Sequence, residues 1–156
     1  MTTSKQLSDR FREVMLSGKL IAFTNYRDQL SQVNYEKAIH KVENLNSISA
    51  LTYHVNYYIS GVLQVLNGGE LTIRDKFSFD LPSPLCEDEW SELKTSLFEN
   101  SEAFAQALET IPEKKWNTAF VDEKYGTYLR NIEGMIEHCY YHLGQIVLIR
   151  KLIVKP

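Results

Sequence analysis

The sequence predicts an all-α fold, a four-helix bundle with a long crossover between the second and third helices. Apolar residues recur every three or four positions in four long stretches, the period of a helix with one buried face. Helix breakers, Gly68-Gly69 and Pro112, stand at the ends of two of them. Between the second and third stretches, residues 68–83 are numerous enough to run the length of a ~30 Å helix at ~3.3 Å per residue.

The first stretch covers about 4–30, with Leu7, Phe11, Val14, Leu20, Ile21, Phe23, Tyr26 and Leu30 as its apolar stripe and Thr3 or Ser4 as its cap. A polar connection, 38–44, follows. The second helix covers about 46–67, with Asn46 as N-cap and Ile48, Leu51, Val55, Ile59 and Val62 on one face. The third starts after Pro84 with Glu87, Asp88 and Glu89 in its first turn, where carboxylates meet the positive end of the helix dipole. It continues through Trp90, Leu97, Phe104 and Leu108. Residues 117–126 read as a short hairpin or an ordered loop. The fourth helix covers about 127–153, with Ile132, Met135, Ile136, Cys139, Leu143 and Ile146 inward, and Pro156 closes the sequence.

At 156 residues the chain has the length of a single domain, 1–156, able to bury a core without disulfide or metal staples. An apolar share of 44% with 24% charged residues excludes a disordered or fibrous class. A net charge of -3, with no basic run longer than Lys114-Lys115, argues against a nucleic-acid partner. Met1 to Lys5 are polar and lead straight into a helical pattern, so neither a signal peptide nor a membrane span is expected and the cytoplasm is the default location. Cys86 and Cys139 lack paired spacing and read as free thiols of a reducing compartment, Cys139 in the core. Serine-hydrolase, nucleotide-phosphate and dithiol motifs are not present.

Residues four apart on a helix lie one turn apart on the same face, so His138 and His142 can converge on one ion. Both fall on one edge of the fourth helix's apolar stripe, with Asn131 and Gln145. Glu133 and Glu137 fall on the opposite side, which leaves no carboxylate base on these helices near the histidines. His54 borders the stripe of the second helix, beside Tyr58, at a depth that brings it level with the other two in either antiparallel or parallel packing. On the residues alone, a metal site and a set of hydrogen-bonding core histidines both fit. His40 reads as an exposed loop residue.

The segment from Ile136 to Ile146, containing His138, His142, Gly144 and Gln145, resembles the C-terminal helix signature of the DinB/YfiT-like superfamily, and Leu51 to Val55 resembles its second helix. The resemblance extends over nearly the whole chain in length and helix order. It implies a four-helix bundle in which His54, His138 and His142 hold a divalent metal. It also implies a homodimer and a small-molecule substrate, with low-molecular-weight thiols such as bacillithiol used by several relatives.

Three imidazoles leave the ion at least one open position, as in catalytic rather than structural sites. Zinc and nickel suit this ligand set best. An ion of this kind activates a thiol or water at neutral pH, so the expected function is a metal-dependent thiol S-transferase, or a hydrolase. The alternative is a non-catalytic metal- or small-ligand-binding homodimer. Gln145 and Asn131 are candidates to orient a ligand and Tyr58 to line the pocket, whereas Arg74, Asp75, Lys76 and Asp80 read as a solvated loop face or a pocket rim. No catalytic residue beyond the ligands is assigned from the sequence.

Overall fold

The computed structural model describes residues 2–82 and 86–153, and among them every regular element is helical. Six α-helices follow in order: α1 (Thr3–Arg12), α2 (Tyr26–Leu30), α3 (Tyr35–Ile39), α4 (Ile48–Leu66), α5 (Glu87–Glu109) and α6 (Tyr128–Ile153). A π-helical turn, Glu13–Ser17, extends α1, and short 3-10 turns occupy Asp75–Phe77, Glu113–Lys115 and Glu123–Tyr125. No described helix is long and apolar enough to cross a membrane.

The expected first helix, 4–30, is two helices. Gly18 is extended (ψ 164°) and Phe23 takes a positive φ of 55°, so the chain leaves the helix and re-enters at Asn25, whose side chain caps α2. The Asn25 amide also donates to the Gly18 carbonyl across the break. Leu20, Ile21 and Phe23, expected inward, are 78%, 66% and 86% exposed. Helical spacing carried across a break assigns them to a face that is no longer there.

The connection at 38–44 also begins inside a helix. Ala38 is fully buried in the single turn of α3, which Asn34 caps, while His40 is exposed at its end as expected. Thr2, not Thr3 or Ser4, caps α1 by accepting from the Lys5 amide, and Ser47, not Asn46, caps α4 by accepting from that of Ala50. Ser4 is instead buried, donating to the Ile111 carbonyl at 2.6 Å and accepting from the Trp116 indole at 3.1 Å. α5 begins at Glu87, with Glu87, Asp88 and Glu89 in its first turn as expected, while Pro84 and the closing Pro156 lie outside the described residues.

Residues 117–126 form an ordered loop rather than a strand pair. Phe120 and Gly126 share a backbone hydrogen bond, Ala119 and Thr127 form an isolated antiparallel bridge, and Phe120 is buried against Tyr128.

Side-chain pairs fix the directions of the long helices. Ser4 meets Ile111, Ser8 meets Ala105 and Arg12 meets Glu102, so α1 and α5 are antiparallel. Arg10 faces Glu133 and Glu13 accepts from Tyr140, so α1 and α6 run parallel. Leu51 lies by Ile149, His54 by His142 and Tyr58 by Met135, so α4 and α6 are antiparallel. Phe11, Tyr26, Leu51, Ile59, Trp90, Phe104, Ile132 and Cys139 fill the core between them. Its two large polar aromatics are partnered, as burial favours: the Tyr26 hydroxyl donates to the Cys139 carbonyl and the Trp90 indole to that of Val33.

Candidate metal centre

Antiparallel packing of α4 and α6 puts His54 level with His138 and His142. The Nε2 of His138 lies 3.1 Å from that of His54 and 3.0 Å from that of His142. The three ligand nitrogens all fall within 4.8 Å of one another, so the group can hold a metal ion. This is near the spacing of neighbouring ligands in a tetrahedral site, about 3.3 Å when metal–nitrogen bonds are about 2.0–2.1 Å.

The donor chemistry fits an ion better than it fits a hydrogen-bonded cluster. One ring nitrogen offers one in-plane proton or one lone pair, so His138 Nε2 satisfies one neighbour well, not two. An ion accepts all three lone pairs at once. Gln145 supports this assignment: its Oε1 lies 2.6 Å from His142 Nδ1, and a carboxamide oxygen only accepts. The His142 proton therefore sits on Nδ1, which leaves the Nε2 lone pair facing the other histidines.

Electrostatics keep the rings neutral and ready to ligate. Burial, with a smaller contribution from His142, pushes His54 down to about 4; burial, then His142 and His54, does the same to His138. His142 is also lowered by burial, with Gln145 opposing. The Ser78 backbone and the Asp75 carboxylate oppose the shift at His54. His54 Nδ1 is buried and has no well-formed hydrogen bond.

The connection after α4 roofs the centre: of the residues read as a solvated loop face or a pocket rim, Asp75 reaches it, while the cover by Phe79 was not foreseen. Positions 54, 57, 58 and 61 form one stripe of α4. Phe79 stacks on His54 with ring centres 4.0 Å apart, the Tyr57 hydroxyl bridges the Arg74 amide and carbonyl, and the Tyr58 hydroxyl donates to Asp75 at 2.8 Å. Ile73 sits against Gly61, where a Cβ would come within 2.3 Å of its side chain. That glycine, inside an otherwise apolar helix, was the one local signal that another segment approaches closely.

Tyr58 therefore does line the site, edge-on to His54 and His138 at 5.1 and 5.2 Å. Its phenol is held above its ordinary value by burial and by the Asp75 bond, so it remains a donor at neutral pH. Asn131 does not reach the histidines; its amide donates to the carbonyls of Tyr125 and Thr127, which anchors the loop before α6. Glu137 is exposed and paired with Arg130, while Glu133 is half-buried and faces Arg10. Both helical carboxylates are thus engaged with arginines, and the carboxylate that does act on His54 is Asp75, from the connection. Cys139 adjoins a ligand in sequence but lies wholly in the core, where burial drives its thiol pKa well up. Cys86 is exposed, and both thiols are free.

No protein-family model matches the chain, and neither a curated protein nor a solved structure matches it.

Proposed function

We propose that the protein is a divalent-metal-dependent enzyme of the DinB/YfiT-like type, a thiol S-transferase with a three-histidine centre. The observation that carries this reading is the convergence of three neutral Nε2 atoms with the His142 tautomer set by Gln145. In this reading α1, α4, α5 and α6 are the four bundle helices. Since α1 is antiparallel to α5 and parallel to α6, while α4 is antiparallel to α6, α4 and α5 run the same way, and the connection after α4 is the crossover such a pair needs.

His54, His138 and His142 would hold zinc or nickel. Such an ion supplies Lewis-acid chemistry, making a bound thiol or water nucleophilic at neutral pH. The chain's own residues prepare the place. Gln145 orients His142, Phe79 covers the His54 face and excludes water, and Tyr58 presents a fixed phenol beside two ligands. Asp75 is engaged by that phenol, so the protein base that water activation calls for is not free. Thiol activation calls for none, which supports a small thiol as substrate. Exposed Cys86 and buried Cys139, both unpaired, suit a reducing cytoplasm, and the resemblance implies a homodimer.

The test is metal content by mass spectrometry on protein purified without a polyhistidine tag. One ion per chain, lost on His142→Ala and kept on His40→Ala, is expected; equal content in both variants overturns the site.

A further inference from the structure

We propose that the groove beside His138 binds a small carboxylate-bearing molecule, its carboxylate gripped by Arg130 and its other end reaching the three-histidine centre. This rests on the metal-centre reading and names the substrate class for it. The groove has a volume of about 420 Å³, within the range of small-molecule sites, and is lined by Tyr58, Val62, Arg130, Asn131, Met135 and His138 among others.

Access to the centre comes from this side. His54 and His142 are only 7% and 6% exposed, the first under Phe79 and the second against Tyr141, whereas His138 is more open and forms part of the groove wall. Val62, Met135 and the Tyr58 ring give the groove an apolar body. Its polar end is cationic: Arg130 lines it, and Asp75 is turned onto Tyr58 instead.

The reach of the ligand follows from α6. The Arg130 guanidinium lies forward along the helix against Gly134, its Nη1 3.5 Å from where a Cβ would stand. Gly134 precedes His138 by one turn, roughly 6 Å along the axis. A molecule on the order of 6–9 Å between a metal-seeking head and a carboxylate spans the two. Arg130 now spends one donor on Glu137 at 3.0 Å, an exposed pair that costs little to exchange, and a guanidinium carries five N–H donors. A carboxylate taken in a forked geometry is the partner it fits best.

The experiment titrates cobalt-loaded protein with 4-mercaptobutyrate and with 4-mercaptobutanol, reading the thiolate-to-cobalt absorption band. The carboxylate thiol should bind about tenfold more tightly, the size of one charge-assisted hydrogen bond. Arg130→Met should erase that preference and Glu137→Gln should increase it, while Gly134→Leu, which fills the groove, should weaken both thiols without changing cobalt content. Equal affinities in the parent protein, a preference that survives Arg130→Met, or cobalt binding with no thiolate band overturns the groove proposal and leaves the metal centre standing. Failure to bind cobalt at all overturns both.

Discussion

The Oε1 of Gln145 lies 2.6 Å from Nδ1 of His142, one turn along α6, and fixes which nitrogen of that histidine carries the proton. Replacing Gln145 by Leu removes the acceptor while keeping the bulk. Metal affinity should fall about 10- to 100-fold, the usual effect of losing the partner that orients a ligand. Competition with a chromophoric chelator measures it, and an unchanged affinity would show that Gln145 has no part in the centre.

The helical fold should outlast the loss of any ion at the three histidines. The core is apolar and continuous, and the histidines stand at its edge, so chelation should leave the helical circular dichroism largely intact. Unfolding of the whole chain on chelation would mean that the centre is structural.

Acid should destabilise the metal-free protein in a defined window. His54 and His138 titrate at about 4 when folded and near 6.5 when unfolded. Between those values the unfolded chain binds more protons, so stability falls as pH is lowered from about 6.5 to about 4. Urea midpoints across this range should slope less steeply for a His54→Asn, His138→Asn double variant than for the parent protein. Parallel slopes would contradict the buried, neutral assignment.

Gly61 holds the roof down. Gly61→Val drives a side chain into Ile73 and should cost about 1–3 kcal/mol, as overpacking does. It should also speed exchange of the metal, because the segment carrying Phe79 moves with Ile73. Phe79→Ala should reproduce the faster exchange with a smaller loss of stability. If neither variant changes the exchange rate, the connection does not shield the centre.

Much of this protein was legible in one dimension because helices write their faces into the sequence at a fixed period. The long helices α4, α5 and α6 and the pairing of His138 with His142 follow from spacing alone, since residues four apart share a face whatever lies around them. The stop at Gly68, with its φ of 88°, is equally local. Tertiary structure decided what period cannot carry. The break at Gly18 turned Leu20, Ile21 and Phe23 outward although their spacing continued the helical pattern. Antiparallel packing, undecidable from depth alone, brought His54 into line. Phe79, Asp75 and Ile73 reached the site from a segment with no helical face to read, placed by a missing Cβ at Gly61 and two tyrosine hydroxyls on the neighbouring turn. Contacts of that kind depend on where two distant segments meet, and Gly61 marks only that something approaches, not which segment does.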